Sequence, residues 1–312
     1  MKVIRSLASL RGVNKTVVTL GNFDGIHTGH RLILKKVVAR ARALKCPSVV
    51  YTFEPHPLKV VAPGRSLELI LDAEDKKARI EDAGIALLVL ARFTRAFASK
   101  HPREFVEEAL VAGLKAREVW VGANFVFGKG RSGTVEHLKA LGGEFGFRVF
   151  AIAPARSGKE VVSSSRIRAL IKNGFVEKAS KLLKRDFSIK GMVVKGRGIG
   201  KTLGFPTANL RIKSELLPKN GVYAAYAFIG HRSYNALVNI GLAPTFGKRP
   251  KTVEAHILGL KSRIYGKAVK LSFIKRLRDE KMFRDGAGLA SQIKKDMEKA
   301  KGLFRQQTPV KK

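Results

Sequence analysis

The order of predicted elements changes near residue 185, and this change restricts the folds that the chain can adopt. Up to that point, short β-branched runs such as residues 17–20 alternate with amphipathic stretches of helical periodicity. From residue 187 onward, short β segments follow one another with only glycine, proline and asparagine turns between them. Alternating strands and helices predict a parallel α/β sheet, whereas strands joined by turns predict an antiparallel barrel or sandwich. We therefore expect two domains, residues 1–184 and residues 185–312.

The charge of the chain favours anionic partners. Its 312 residues include 61 lysines and arginines against 24 aspartates and glutamates, a formal net charge of +37. Such a field attracts nucleotides and nucleic acid. We prefer a general basic bias to a dedicated nucleic-acid function, because the sequence has no zinc-finger spacing, basic heptad or aromatic-basic RNA signature. Non-specific association with nucleic acid, weakened by salt, is still expected.

Cysteine content and hydropathy bear on the compartment. One cysteine, Cys46, excludes an internal disulfide and fits a reducing environment, so we expect a cytoplasmic protein. Apolar runs are too short to span a bilayer, and the first residues lack the apolar stretch of a secretory signal. We therefore expect no membrane partner.

The first chemical motif follows the strand predicted at residues 17–20. It is a glycine-containing turn that ends in His27-x-Gly29-His30 at the start of a helix. Imidazoles three residues apart can face the same side, Gly29 lets a phosphate approach the backbone, and a helix N-terminus favours an anion. This arrangement suits nucleotidyl transfer, with both histidines stabilising charge on the α-phosphate and the departing pyrophosphate. The alternative is a turn with two incidental histidines, but the preceding Gly-x-Phe-Asp-Gly favours the functional interpretation.

Two other segments are candidates for the same site. Ser163 and Ser164 precede a predicted helix and can cap its N–H groups, while Arg166 and Arg168 can reach phosphate oxygens. The alternative is an ordinary capped helix whose arginines face solvent. Asn124 follows a predicted strand and can contact a base or a ribose, and we expect the neighbouring phenylalanines to pack in the core.

The glycine-rich segment around Gly198 matches neither of two familiar nucleotide-binding motifs. Gly196 and Gly200 are separated by three residues where a Walker A loop has four, and Pro206 would interrupt the helix that such a loop requires. Lys201 stands where a dinucleotide fingerprint needs its third glycine. We interpret the segment as a loop between strands whose backbone N–H groups bind an anion.

The extended segment after this loop offers oxygen ligands. Pro206 precedes Thr207 and Asn209, which project to the same side of an extended chain and present a hydroxyl and an amide oxygen that suit Mg²⁺. Glu254, in a later β-rich stretch, can accept a proton from an attacking hydroxyl. The alternatives are a proline turn whose asparagine bonds its own backbone, and a surface glutamate paired with a lysine. The residues alone leave these alternatives open.

These motifs together resemble a known family. Residues 1–184 resemble the FMN adenylyltransferase domain of the bacterial bifunctional riboflavin kinase/FAD synthetase family, which implies a Rossmann-like nucleotidyltransferase sheet. The matching segments are residues 21–30, 53–57, 122–128 and 163–168. The family more often has threonine where this chain has Ser165, and often Asp-Phe-Arg at residues 124–126. The exchange at 165 keeps a hydroxyl.

The second half resembles the riboflavin kinase domain of the same family, which implies a small antiparallel β-barrel over residues 185–312. By this resemblance, Thr207 and Asn209 bind Mg²⁺ with ATP, and Glu254 is the base that acts on the riboflavin 5′-hydroxyl. The family usually has aspartate where this chain has Gly259. The matching segments are residues 196–200, 204–209, 221–224, 239–246, 254–256, 265–266 and 273–278.

The resemblance implies phosphorylation of riboflavin to FMN and adenylylation of FMN to FAD, with ATP as co-substrate of both steps. Two alternatives are that one activity alone is retained, and that a basic nucleic-acid-binding protein uses an enzyme scaffold. The predicted catalytic residues are His27, His30, Arg168 and Glu254. The predicted nucleotide-binding residues are Gly21, Phe23, Asp24, Gly29, Asn124, Ser163, Ser164, Arg166, Gly196, Gly198, Gly200, Lys201, Pro206, Thr207 and Asn209.

Overall fold

Two compact units make up the structure, a computed structural model that describes residues 1–10, 12–196, 199–242 and 251–306. Unit 1 comprises Met1–Ser164 and unit 2 comprises Ser165–Lys312. No helix within the described ranges is long and apolar enough to cross a membrane.

Unit 1 contains one large sheet, a small hairpin and the helices around them. Its strands are β1 (Lys2–Ile4), β2 (Thr16–Leu20), β3 (Ser48–Glu54), β4 (Leu87–Arg92), β5 (Ala116–Gly122), β6 (Arg148–Ile152), β7 (Arg156–Ser157) and β8 (Glu160–Val161). Its helices are α1 (Thr28–Ala43), α2 (Pro57–Val61), α3 (Ala73–Asp82), α4 (Arg95–Ala98), α5 (Pro102–Phe105), which Val106–Gly113 continues with π-helical bonding, and α6 (Val135–Phe145).

The large sheet is parallel throughout and has the strand order β1-β4-β3-β2-β5-β6. Strands β3 and β4 lie on one side of β2, whereas β5 and β6 lie on the other, so the order reverses between β2 and β5. Ligands of open α/β sheets bind at the carboxyl ends of the strands beside such a reversal. The predicted parallel α/β architecture is confirmed, and it places the loop after β2 at the switch point.

Both faces of the sheet are buried, because parallel strands are covered by helices on each side. Val18 and Leu20 of β2 pack into one cluster, and Val17 packs into the other with Leu34 and Val37 of α1. Adjacent residues of a strand point to opposite faces, so a strand covered on both sides is apolar at nearly every position. This requirement explains the uninterrupted β-branched run that the sequence shows there.

Unit 1 also buries one charged side chain that the sequence gives no reason to expect inside. Glu118 of β5 is fully enclosed and accepts hydrogen bonds from Arg40, Arg148 and the indole N–H of Trp120. These donors lower the pKa of Glu118, with the hydrogen bond from Arg40 as the largest cause. Loss of one partner from such a group leaves buried charge uncompensated, which is strongly destabilising.

Unit 2 contains a closed antiparallel barrel with the strand order β10-β13-β12-β11-β14-β9. This confirms the predicted β-barrel. Its strands are β9 (Phe187–Val194), β10 (Ala208–Ile212), β11 (Gly221–Ile229), β12 (Arg232–Leu242), β13 (Lys251–Ile257) and β14 (Ala268–Arg278). Its helices are α7 (Ser164–Lys172), which starts at the last residue of unit 1, α8 (Val176–Leu183), α9 (Ile199–Thr202) and α10 (Gly286–Gln306).

The boundary between the compact units differs from the boundary that the sequence pattern suggests. Helix α8 packs against β9 and β14 of the barrel, so α7 and α8 fall in unit 2. The expected functional domains, residues 1–184 and 185–312, stay a prediction.

Helix α10 identifies which residues face outward from the barrel. Its Ala300 shares one buried cluster with Leu237 of β12 and Ala224 of β11, so these two strand residues belong to the outer face. Leu237 lies opposite His256 in the ladder between β12 and β13. Since directly opposed residues of an antiparallel pair share a face, His256 also belongs to the outer face, and so does Glu254 two residues before it.

Candidate active sites

The first candidate site lies on the loop between β2 and α1. His27 is the N-cap of α1, and its ring Nδ1 accepts a hydrogen bond of 3.4 Å from the backbone N–H of His30. Because Nδ1 accepts, the neutral ring of His27 carries its proton on Nε2, which makes Nε2 a donor. The rings of His27 and His30 stack with their centroids 3.8 Å apart. The two imidazoles therefore lie side by side at the start of a helix.

The environment of His30 keeps its ring neutral. Burial, and secondarily the ring of His27, lower the pKa of His30 well below its usual value. Its Nδ1 is enclosed, and no described residue bonds to it. A phosphate beside the ring would raise this pKa again, because an opposite charge favours the protonated form. The two imidazoles can thus stabilise negative charge that develops nearby.

Two glycines shape the backbone around the histidines. A Cβ built on Gly29 would lie 3.2 Å from Cε1 of His27, and one built on Gly21 would lie 3.2 Å from Cε2 of Phe23. Phe23 is buried and has a positive φ of 51°, so it forms part of the tight turn itself. The N-terminus of a helix favours an anion, and α1 begins directly after His27. Contact of Gly21, Phe23 or Gly29 with a nucleotide stays a prediction.

Asp24 and Ser164 connect this loop to distant parts of unit 1. The Asp24 carboxylate accepts hydrogen bonds from the backbone N–H groups of Ile70, at 2.9 Å, and Leu71, at 3.4 Å. The Ser164 hydroxyl donates to the Asp24 carbonyl at 2.8 Å across 140 residues of sequence. The sequence predicts that both residues bind the nucleotide, and this stays a prediction. The structure shows that their hydrogen bonds hold the loop that carries the histidines.

The Asn124 segment follows β5, the neighbour of β2 in the sheet. Asn124 is exposed, and the N–H of Phe125 donates to the carbonyl of Gly122 at 2.9 Å in a tight turn. The rings of Phe125 and Phe127 stack 5.6 Å apart, and Phe127 belongs to the core. This arrangement agrees with the expectation that the phenylalanines pack in the core. Contact of Asn124 with ATP stays a prediction.

The arginines predicted to complete the site belong to helix α7. Arg166 and Arg168 lie in unit 2, whereas Ser163 and Ser164 are the last residues of unit 1. Their action on an ATP phosphate, together with that of Ser163, stays a prediction.

The second candidate site lies on the outer face of the barrel. Asn209 of β10 is opposite Glu254 of β13, and Glu254 is in turn opposite Asn239 of β12. Directly opposed residues place their Cβ atoms about 5 Å apart on the same face. All three side chains are half-buried. The register therefore brings together Asn209 and Glu254, which are 45 residues apart in sequence.

The glycine-rich loop approaches the same residues. A Cβ built on Gly196 would lie 2.0 Å from Nδ2 of Asn209, and one built on Gly200 would lie 3.2 Å from Oγ1 of Thr207. Only glycine permits this approach without displacement of the loop or the side chain. Gly198 and the Lys201 side chain lie outside the described residues.

The oxygen donors present here fit Mg²⁺ carrying ATP phosphates. Thr207 and Asn209 are half-buried, lie two residues apart in extended chain, and offer a hydroxyl and an amide oxygen. Because residue 196 is glycine, only its backbone lies beside the Asn209 amide, and no side chain competes for that space. Mg²⁺ usually takes few ligands from the protein and the rest from phosphates and water.

Two residues of this site received no role in the sequence interpretation. Asn239 neighbours Glu254 through strand register, and His256 contacts the Pro206 carbonyl with Nδ1 at 2.9 Å. The Glu-x-His spacing was an available signal, because residues two apart on a strand share a face. Asn239 had no comparable signal, since register between strands is not visible in one sequence.

Unit 1 has a parallel sheet with paired histidines at its switch point. Unit 2 has a barrel with a hydroxyl, an amide and a carboxylate in one region. Together these features define a two-domain nucleotide-dependent transferase. Residues 11–166 match the family model for FAD synthetase, and residues 183–304 match the model for riboflavin kinase. The chain is 37% identical over 300 residues to the bifunctional riboflavin kinase/FMN adenylyltransferase of Bacillus subtilis, which covers 93% of each protein. The protein of that name from Buchnera aphidicola subsp. Acyrthosiphon pisum is 32% identical over 301 residues, covering 95% of this chain and 96% of the relative. The chain belongs to the bifunctional riboflavin kinase/FMN adenylyltransferase family.

A solved structure shows the same fold over nearly the whole chain. The crystal structure of a macrolide-efflux protein from Streptococcus pneumoniae has a TM-score of 0.89 and 31% sequence identity, covering 96% of this chain and 98% of that one. The efflux name describes that protein and is not carried over to this chain. The similarity supports the architecture described above.

Proposed function

We propose that this chain makes FAD from riboflavin in two ATP-dependent steps, one in each region matched by a family model. The observation that carries the proposal is that the central residues of each candidate site lie inside the corresponding region. His27 and His30 lie within residues 11–166. Asn209, Asn239 and Glu254 lie within residues 183–304. Riboflavin, FMN and ATP are the substrates that follow.

The barrel site supports phosphoryl transfer to riboflavin. Glu254 accepts the proton of the 5′-hydroxyl while that oxygen attacks the γ-phosphorus of ATP, and the bond to the β-phosphate oxygen breaks. The products are FMN and ADP. Thr207 and Asn209 would hold Mg²⁺, which when bound neutralises charge on the phosphates. Gly196 and Gly200 of the glycine-rich segment approach these ligands closely, and their backbone can contact the triphosphate.

The site after β2 supports adenylyl transfer. An oxygen of the FMN phosphate attacks the α-phosphorus of ATP, and the bond to pyrophosphate breaks. His27, through its Nε2 donor, and His30 stabilise the charge that develops on the transferred phosphate and on the leaving group. We assign Ser163, Arg166 and Arg168 to the triphosphate, because hydroxyl and guanidinium groups at the start of a helix can bind phosphate oxygens. For Arg168 the family resemblance implies the same role.

Gly259 bears on the alternative in which the kinase is lost. Gly259 lies in the turn after β13 with a φ of +74°, and a Cβ built there would meet no atom of the described residues within 4 Å. Glycine adopts this left-handed conformation without strain. The exchange for aspartate therefore affects an open turn five residues beyond Glu254, which supports retention of both activities.

A single incubation tests the proposal. Purified protein with riboflavin, ATP and Mg²⁺ should form FMN first and FAD later, as separated by chromatography. FMN supplied in place of riboflavin should yield FAD and pyrophosphate directly. Accumulation of FMN without FAD, or FAD formation from FMN without turnover of riboflavin, would reduce the proposal to one activity.

Two further expectations accompany this function. The net charge of +37 supports non-specific association with nucleic acid, which should weaken steeply as salt rises. Sequence-selective binding that survives high salt would favour the nucleic-acid alternative instead. A cytoplasmic location would give the enzyme access to ATP, and it stays a prediction.

A further inference from the structure

The ladder between β10 and β13 ends where the proposed metal ligands begin. Asn209 pairs with Glu254, and Ala208 pairs with Ala255 as the last pair of the ladder. Thr207 lies one residue beyond that pair. The position that continues the register opposite Thr207 is His256. A contact from His256 can therefore take the place of ladder pairing at this point.

His256 makes such a contact. Its Nδ1 lies 2.9 Å from the carbonyl oxygen of Pro206. A carbonyl only accepts, so Nδ1 carries a proton and donates it to this bond. The ring of Phe205 meets the imidazole edge-on, with the centroids 5.7 Å apart and the planes at 79°. The residue before Thr207 is thus bonded to β13 through one side chain.

The sequence predicted a loop here, but residues 199–202 form the short helix α9, and Gly200 of this helix contacts the other side of the same segment. The backbone N–H of Phe205 donates to the carbonyl of Gly200 at 2.8 Å. A Cβ built on Gly200 would lie 2.4 Å from the carbonyl oxygen of Phe205. Thr207 therefore follows a short segment that lies between backbone on one side and the His256 ring on the other. The bond from His256 fixes this segment relative to the strand that carries Glu254.

We propose that His256 is a positioning residue for the kinase step. It bonds to the Pro206 carbonyl and thereby sets the distance between the Thr207–Asn209 ligands and Glu254. This inference rests on the proposed riboflavin kinase function of the barrel. Because His256 acts through the segment that carries Thr207 and Asn209, its loss should weaken use of Mg-ATP more than use of riboflavin.

Steady-state kinetics of three variants test the assignment. In His256→Ala, the KM for Mg-ATP in FMN formation should rise up to about tenfold, the range of one net hydrogen bond, while the KM for riboflavin changes less than about twofold. His256→Asn retains an N–H donor near the Nδ1 position and should recover most of the loss. His231→Ala removes an exposed histidine from the turn between β11 and β12 and should match the wild type. FAD formation from FMN should be unchanged in all three.

Amide hydrogen exchange of the protein without nucleotide gives a second readout that needs no activity. Residues 207–209 should exchange faster in His256→Ala than in the wild type, His256→Asn or His231→Ala. Unchanged exchange and unchanged KM for Mg-ATP in His256→Ala would overturn the assignment. Faster exchange throughout β11 and β12 would also overturn it, because it would indicate general destabilisation of the barrel. A wild type without riboflavin kinase activity would refute the proposed function, while the exchange data would still test the contact.

Discussion

The two candidate sites are built in different ways. The first places His27 and His30 in an enclosed loop at the end of parallel strands, where His27 is only 7% exposed and burial lowers the pKa of His30. The second spreads Thr207, Asn209 and Glu254 over the half-buried outer face of a barrel, where strand register aligns them. The first site therefore depends on the electrostatics of enclosed rings, and the second depends on spacing between strands.

This difference has a consequence for substitutions. A change in the first site should act through charge and proton affinity, because its reactive groups already touch one another. Apart from loss of the Glu254 carboxylate itself, a change in the second should act through geometry, because its groups belong to separate segments that strand register and the contacts of those segments bring together. Each site also serves as an internal control for the other, since one chain carries out both proposed steps.

The largest effect is expected at Glu254. Glu254→Gln keeps the size of the side chain and removes its basicity, so FMN formation should fall by about 10²- to 10⁴-fold, the contribution typical of a general base. FAD formation from supplied FMN should be unchanged when both products are measured by chromatography. FMN formation within a fewfold of the wild type would remove Glu254 from the mechanism.

Substitution at the first site should reverse this pattern. His30→Ala removes a group that stabilises developing phosphate charge, and FAD formation should fall by about 10²- to 10³-fold. FMN should then accumulate from riboflavin, because the barrel is unaffected. If FMN formation falls in parallel with FAD formation, the two sites are not independent and the comparison between them fails.

A glycine tests whether geometry governs the second site. Gly196→Ala would place a Cβ 2.0 Å from Nδ2 of Asn209, so the loop or the side chain must move. Overpacking of this kind costs about 1–3 kcal/mol, which corresponds to a rise of roughly 5- to 150-fold in the KM for Mg-ATP of the kinase step if the whole cost falls on nucleotide binding.

The control for this change is Gly302→Ala. Gly302 lies in helix α10 of the same unit, and a Cβ built there would meet no atom within 4 Å among the residues that the structure describes. Its kinetics should match the wild type. Equal KM values for Mg-ATP in the two variants would show that the close approach of Gly196 to Asn209 does not affect binding of Mg-ATP.

Local patterns in the sequence were sufficient to predict the class of each half. A β-branched run predicted strand β2, and the motif that ends in His30 predicted the loop and helix that follow, because these features depend on neighbouring residues. Long-range pairings could not be predicted in this way. The bond between Ser164 and the loop at Asp24 spans 140 residues, and the bonds from Arg40 and Arg148 to Glu118 require the finished sheet.

The second site shows the same limit in another form. Thr207, Asn209 and Glu254 were identified from their chemistry and from a family resemblance, whereas the contact of His256 and the register of Asn239 follow from strand pairing. One sequence does not reveal which residues of two strands face each other, because a shift by one residue would exchange the two faces.

The smallest predicted effect concerns the pH dependence of unit 1. The folded state lowers the pKa of His30, so between that value and about 6.5 the unfolded chain binds a proton that the folded chain does not. The unfolding free energy of unit 1 should therefore decrease as pH falls through this window, by up to about 1.4 kcal/mol per pH unit from this residue. Trp120, the one tryptophan in the sequence, is buried in unit 1 and reports urea unfolding of that unit by fluorescence.

The matched variant is His30→Gln, which cannot take up the proton in either state. Above pH 7, the wild type and the variant should show the same dependence of unfolding free energy on pH, because the ring is then neutral whether folded or not. Below about pH 6.5, the wild type should lose stability faster than the variant. Parallel curves at all pH values would mean that the folded ring takes up its proton as readily as the unfolded one. The first site would then lack the enclosed, neutral imidazole that distinguishes it from the barrel site.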